Sequence, residues 1–355
     1  MIGERLLRAR KAAGLSMQAL ADQVGVSATM INKYEKEKST PGSKVLIQLS
    51  KALGVRSEYF FRPVQVQLEG VEYRKRASTP QKLLNRIEAD VLDQAERWQI
   101  LADLYPHFPL PDFAQPEGLP AKVASLDEVD AVAYGVRDAW ALGRNPIPDL
   151  IDMLEARGIL VILTGVDDLN KFDGLQASVA GKPFIVVSSH WPGDRQRFTL
   201  AHELGHLILH GRLGIGVDEE KACNRFASAF LLPESGLRQQ LGEQRHNLEV
   251  QELYLLKHEY GISMAACLYR TADLGIIDEG LRKRAFIRFR QQGWHKREPG
   301  APYPAEESQL FTQLVYRALG EGIISESKAA ELLKMPLIQF HRERNLEPLH
   351  AFAGQ

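Results

Sequence analysis

The sequence predicts an α+β protein that is mostly α-helical, and three observations carry that prediction. Apolar residues recur at helical spacing over residues 4–61, with Gly14, Gly25 and Gly54 at the joints. Short β-branched stretches punctuated by Gly, Asp and Pro cluster between residues 159 and 189. Helical spacing then returns from Arg197 to Arg270 and again in the tail.

The chain has 355 residues, 45% of them hydrophobic, which suits two or three domains with real cores. A net charge of -1 gives no global pull toward nucleic acid or membrane, so such affinity must come from a local asymmetry. One exists: Met1 to Arg62 holds eleven Lys and Arg against five Asp and Glu, a local +6. The two cysteines, Cys223 and Cys267, cannot form a disulfide framework. The opening MIGERLLRARKAAGL lacks the apolar core of a signal peptide, and no apolar run reaches spanning length. The expectation is a cytoplasmic protein with no membrane partner.

Residues 4–61 read as a five-helix bundle stopped by Pro63. Within it, SMQALADQV begins with Ser16 as N-cap, Gly25 makes a turn, and a second helix runs from about Ser27 to Lys36 behind another serine cap. This is helix-turn-helix order. The second helix presents Ser27, Ala28, Thr29, Asn32 and Lys33 early and outward, small and polar enough to approach base edges. Gln18 and Lys38 are placed to position phosphates, while Ile31 and Tyr34 face the core. Each polar residue alone also fits a solvated helix face; the whole pattern with its charge excess points to double-stranded DNA.

Next comes a strand-like stretch, VQVQLEGVEYRK, and then Thr79-Pro80 as N-cap and first position of a connecting helix through Leu101. The Pro-rich HFPLPDFAQPEGLP marks a boundary, followed by helices over Leu126 to Gly143 and Ile147 to Gly158. ILVILTG, Leu175 to Val179 and KPFIVVSS suggest a small mixed or antiparallel sheet. In the tail, REPGAPYP precedes a pair of short helices, Phe311 to Leu319 and ISESKAAELLKMPLIQFHRER. The sequence gives no internal repeat and no low-complexity tract. The expected boundaries are 1–64 for the DNA-reading domain, 65–120 for linker and connecting helix, 121–280 for a third region and 281–355 for a helical C-terminal domain.

RFTLAHELGHLILHG places His202 and His206 four residues apart on a helix, so both imidazoles leave one face within reach of one ion. Glu203 lies between them, offset in angle. Two neutral imidazoles and a nearby non-ligating carboxylate are what a zinc peptidase needs: Glu203 is the general base that takes a proton from the attacking water and returns it to the leaving amine. A third ligand must lie beyond GRLGIG. Glu220 is the candidate, with adjacent Glu219 its competitor, and Asn224, one turn on, can hydrogen-bond a ligating histidine. His210 lies about 12 Å along the helix from His202, too far to share the ion. His258 and Tyr260 in KHEYGISM are candidates for a second oxyanion donor.

At this point residues 4–61 resemble an XRE-type, Cro- and phage-repressor-like helix-turn-helix domain. Residues 125–275 resemble an ImmA/IrrE-type metallopeptidase, through RQRFTLAHELGHLILH, EEKACNRFASAFLLP and KHEYGISMAACLYRTADLGII. The resemblance implies a zincin-like domain with His202, His206 and Glu220 as Zn²⁺ ligands and Glu203 as base; Cys223 stands where Ala is usual. It implies a regulatory protease whose substrate is a helix-turn-helix repressor, in stress-response, mobile-element or toxin-antitoxin settings, and a homodimer fits paired half-sites. The other reading is a transcription factor or antitoxin whose peptidase-like domain senses or binds without hydrolysis.

Overall fold

The computed structural model describes residues 2–62, 66, 68–75, 79–166 and 172–346, with the backbone alone for 71–75. Pro63 falls outside the described residues. Contacts divide the chain into two units: residues 1–68, 80–111 and 308–355 form one, and residues 69–79 and 112–307 the other. Among the described residues, no helix is long and apolar enough to cross a membrane.

The first unit opens with α1 (Ile2–Ala12), α2 (Met17–Val24), α3 (Ala28–Glu35), α4 (Ser43–Leu53) and a 3₁₀ turn at Ser57–Phe61. Ser16 and Ser27 cap α2 and α3 through the amides of Ala19 and Met30. Gly25 between them takes the left-handed conformation, φ 74°. Leu6, Leu20, Ala21, Ile31, Leu49 and Phe60 close the core. β1 (Glu69–Lys75) belongs to the second unit, and the chain then returns to the first as α5 (Gln81–Leu104). The cap of α5 is Pro80, without a side-chain hydrogen bond, so the helix starts one residue later than the Thr79 cap predicts. Inside this unit Arg5 of α1 donates to Glu96 of α5 at 2.6 Å, both buried.

The second unit holds α6 (Val129–Ala139), α7 (Leu150–Glu155), β2 (Leu160–Thr164), β3 (Phe172–Val179), β4 (Lys182–Ser188), α8 (Gly193–Leu209), α9 (Glu219–Leu231), α10 (Glu234–Leu241), α11 (Val250–Tyr260), α12 (Met264–Asp273) and α13 (Glu279–Gln291). The sheet order is β1-β3-β4-β2 and the sheet is mixed: β2 runs parallel to β4, while β3 is antiparallel to β4 and β1. Its β-branched strands are buried on nearly every position because helices cover them.

The largest core cluster joins the sheet to α6 through α13. It contains a buried charge network rather than hydrocarbon alone. Arg270 meets Asp130 at 2.7 Å and Tyr134 Oη at 2.7 Å, and Arg225 meets the same Asp130 at 2.6 Å. Arg137 donates to the carbonyls of Phe230, Asn145 and Gly143 at 2.6, 2.6 and 2.8 Å. Burial pushes that guanidinium down to about 10, still a cation at neutral pH. These groups fix α6 against the end of α9.

The tail forms α14 (Leu310–Gly320), α15 (Glu326–Leu332) and α16 (Leu337–Arg344), three helices where the sequence suggested two. The break falls at Lys334, whose φ of 55° no helix interior accepts, and at Pro336. These helices repeat α1 to α3 in residue register. Ser325 caps α15 through the amide of Lys328 as Ser16 caps α2. Lys334 takes the left-handed turn where Gly25 does. Buried Ala329, Ala330 and Phe340 stand for buried Leu20, Ala21 and Ile31. The amide of Met335 bonds the Ala330 carbonyl as Val26 bonds Ala21.

Candidate metal centre and DNA-facing helix

The helix α8 is anchored before it presents its chemistry. Arg195 holds Asp173 of β3 at 2.6 Å, and buried Arg197 donates to the Ile147 carbonyl at 2.8 Å and to Glu306. Glu306 accepts the amides of Leu150 and Ile151 at 2.9 and 3.0 Å, tying α7 to the same point. One turn later stand His202 and Glu203, 0% and 1% exposed, and then His206 at 9%.

What brings α9 to these histidines is a glycine. A Cβ on Gly205 would lie 3.2 Å from Cys223 Cα and 3.4 Å from Cys223 Cβ, so the two helices meet backbone to backbone there. Cys223 is buried, and Glu220 and Asn224 flank it on α9. The close crossing delivers both to the imidazoles.

Glu220, the candidate ligand, and Glu219, its competitor, stand in different places around the imidazoles. Glu220 faces the inner nitrogens: its Oε2 lies 3.5 Å from His202 Nε2 and its Oε1 3.6 Å from His206 Nε2. The two Nε2 atoms are 3.2 Å apart. Glu219 sits behind, its Oε1 3.2 Å from His206 Nδ1, and Asn224 Oδ1 lies 3.0 Å from His202 Nδ1. With Nδ1–H donating outward to oxygen, each Nε2 lone pair is left pointing inward.

The donor set fits zinc. Tetrahedral bonds of about 2.0–2.1 Å separate neighbouring ligand atoms by roughly 3.3 Å, close to the spacing of these three residues. His202, His206 and Glu220 have donor atoms within 4.8 Å of one another and are the group of this kind among the described residues. Glu203 is outside that group, and its Oε1 lies 3.5 Å from where a Cβ on Gly174 of β3 would be. That same Cβ would come within 2.9 Å of the Val186 carbonyl and 2.6 Å of Thr199, so the strand must carry glycine to pass beneath Glu203.

His210 lies at the exposed C-cap of α8, on backbone contact only with His206 among the bonds described. Tyr260 is buried with its hydroxyl against Gly236, and His258 Nε2 lies 3.2 Å from the Ala301 carbonyl. The described contacts bring neither to the histidine pair.

On the second helix of the helix-turn-helix pair, Thr29 and Lys33 of α3 are exposed, as are Gln18 in α2, Ser27 and Lys38. Ala28 and Asn32 are half-buried. Ser27 spends its hydroxyl on capping, and Gln18 donates to Asp22 at 2.7 Å. Ile31 and Tyr34 are in the core.

Comparison with known families finds a likeness for part of each unit. Residues 6–60 match the helix-turn-helix family model, and residues 154–272 match the peptidase-family model described as IrrE N-terminal-like domain. The chain joins a helix-turn-helix domain to an IrrE-like domain. It is similar to an SPbeta prophage-derived uncharacterized HTH-type transcriptional regulator, YonR, of Bacillus subtilis, at 36% identity over 69 residues, 19% of this chain and 64% of that one. An uncharacterized HTH-type transcriptional regulator of Sinorhizobium fredii, y4aM, is 31% identical over 91 residues, 25% of this chain and 64% of its own. An uncharacterized transcriptional regulator in the ATPase CF(0) region of Rhodospirillum rubrum is 34% identical over 64 residues, 18% and 59%. The chain thus spans less than two thirds of these relatives' length. The IrrE-like domain model begins within α7 and ends within α12, so it takes in the sheet strands β2 to β4, both metal-facing helices and every residue of the candidate centre.

Proposed function

We propose that this protein is a DNA-binding regulatory zinc metalloendopeptidase of the cytoplasm that cleaves a transcriptional repressor or antitoxin-type protein and so changes gene expression. The observation that supports it is the convergence of His202 Nε2, His206 Nε2 and the Glu220 carboxylate beside a buried Glu203 that is not part of the triangle. Three protein donors, with one tetrahedral position left over, is the composition of a catalytic zinc site rather than a closed structural one. Bound Zn²⁺ would supply Lewis acidity at that position.

The chain's own residues supply the rest. Glu219 and Asn224 hold the imidazoles in the tautomer that aims Nε2 inward. Glu203 accepts a proton from the attacking water as it adds to the peptide carbonyl, then passes it to the leaving amine nitrogen as the C–N bond breaks. Its burial keeps that carboxylate out of bulk solvent. The DNA side rests on α3, where Thr29 and Lys33 are exposed beside half-buried Asn32 on a capped helix in a region of local charge +6. Such domains bind paired half-sites, which makes a homodimer the expected DNA-bound form.

The test is zinc per chain by elemental analysis on wild type, His202→Ala, Glu220→Ala and Glu203→Gln, joined to a cleavage assay on helix-turn-helix repressors. About one zinc in wild type and Glu203→Gln, none in the other two, and cleavage by wild type alone are expected. A wild type that takes up no zinc sinks the peptidase reading. A second reading, a regulator that senses or binds through the IrrE-like domain, draws on the relatives' being named as regulators. It wins if Glu203→Gln matches wild type in every regulatory assay.

A further inference from the structure

We propose that the groove beside the metal-facing residues is a side-chain subsite for the polypeptide substrate, built for a large neutral side chain and best filled by an aromatic one. The substrate class rests on the hydrolytic reading above; the site itself rests on separate observations.

Two helices lead to it. On α9, Glu220, Asn224 and Ser228 are four residues apart and share one face. On α8, Phe198, His202 and His206 do the same. One turn away from the histidine pair along each helix therefore come Phe198 and Ser228. Both line a groove of about 620 Å³ together with Asn224, and Ala266 and Tyr269 of α12 supply further wall. Asn224, which orients His202, is thus common to the candidate metal centre and the groove.

The groove carries a donor in want of a partner. Ser228 is 7% exposed, and its Oγ has no hydrogen-bond partner among the described residues. Buried hydroxyls are nearly always bonded, so one that lines a cavity without a partner marks where a ligand atom belongs. Tyr269 is the platform: 49% exposed, it packs on Phe286 at 4.4 Å between centroids and lies 5.4 Å from the Arg282 guanidinium. Held by a phenyl and a guanidinium, the half-exposed ring presents aromatic edge to the groove, which suits edge-to-face contact with another ring.

Charge argues for a neutral occupant. Of the cations that line the groove, Arg225 is satisfied by Asp130 and Asp273, Arg282 by Glu279 at 2.7 Å, and Lys221 lies 3.8 Å from Asp218. Little uncompensated charge remains at the rim to select an ionic side chain. A second groove of about 640 Å³ shares Phe198, Ala266 and Tyr269, which gives room for more than one substrate residue.

The experiment uses the zinc-loaded full chain and a randomised synthetic peptide library. Cut sites of wild type, Ser228→Ala, Tyr269→Ser and Phe198→Ala are read by mass spectrometry, and binding of the same peptides to Glu203→Gln with and without Tyr269→Ser is read on an array. Zinc content confirms that each variant is folded. Wild type should favour aromatic residues at one position flanking the cut, and Tyr269→Ser should lower that preference about tenfold or more. Ser228→Ala should erase a preference for Tyr over Phe while leaving aromatic selection in place. If wild type cuts nothing but Glu203→Gln binds aromatic peptides and loses them with Tyr269→Ser, the subsite stands and hydrolysis falls. If wild type cuts with a preference that none of the variants moves, the subsite falls and hydrolysis stands. No cleavage and no selective binding overturns both.

Discussion

Glu219 and Glu220 are neighbours in sequence and face opposite ends of an imidazole, one at Nδ1 of His206 and the other at the paired Nε2 atoms. Their substitution should therefore diverge. Glu220→Ala is expected to abolish zinc binding, and Glu219→Ala to keep about one zinc per chain while weakening affinity by about 10–100-fold, as the loss of an outer-shell partner does. Competition with a chelator checks it, and equal loss in both would mean the two carboxylates are interchangeable. The histidine pair was legible in the sequence because its spacing lies within one helix. The sequence favours Glu220 over Glu219, but spacing alone keeps Glu219 in competition, because the choice depends on how α9 is rotated about its axis when it meets α8. Not legible was Asp130, whose carboxylate serves both Arg225 and fully buried Arg270. Nothing near Asp130 in sequence announces partners 95 and 140 residues away. Asp130→Ala leaves a buried guanidinium without its counter-charge, which should cost about 3–5 kcal/mol. Thermal or urea unfolding tests this, and a loss below about 1 kcal/mol would show that Tyr134 and the Leu232 carbonyl suffice for Arg270.

Between elements, the decisive contact is the crossing of α8 and α9 at Gly205. Gly205→Ala sets two effects against each other. Alanine favours the helix by about 1 kcal/mol, while the Cβ presses on Cys223 backbone at 3.2 Å and overpacking of this kind costs about 1–3 kcal/mol. Stability should change little, whereas Glu220 and Asn224 move outward with α9. We expect zinc affinity to fall about tenfold with only a small shift in Tm. Unchanged affinity would mean that α9 is positioned from its far end, by Arg137 and Arg225, instead. Helix existence was readable for α8, α9 and the helix-turn-helix pair, whose serine caps and left-handed Gly25 are local signals. Where the signal was not local, the expectation slipped. The tail reads as two helices because the left-handed turn at Lys334 carries no mark of the kind Gly25 does, with Pro336, which does mark the break, read through. The likeness of α14–α16 to α1–α3 is hidden for the same reason: caps, turn and buried positions are kept, while Leu20 and Ile31 have become Ala329 and Phe340.

At the scale of the whole molecule, the chain passes between its two units four times, since β1 opens the second unit early and α5 and the tail each return to the first. Removing residues 1–62 would thus do more than remove DNA contacts. It would strip Arg5 from buried Glu96 and open the face of α5 that the bundle covers. Point changes on α3 are the cleaner instrument. Lys33→Ala with Asn32→Ala should weaken binding of an operator duplex and lower the slope of log K against log salt by about 1 for the lost phosphate contact. Zinc content should stay at wild-type level, because no residue of the candidate centre is touched. If the two units serve one function, tethering the IrrE-like domain to DNA raises its effective concentration near a repressor on the same DNA. The double variant should then cleave free repressor at the wild-type rate and operator-bound repressor more slowly, with the gap closing as salt strips wild type from the duplex. Equal slowing on both substrates would place the α3 residues in substrate recognition. No slowing on either would mean that DNA binding and proteolysis are independent properties of one chain.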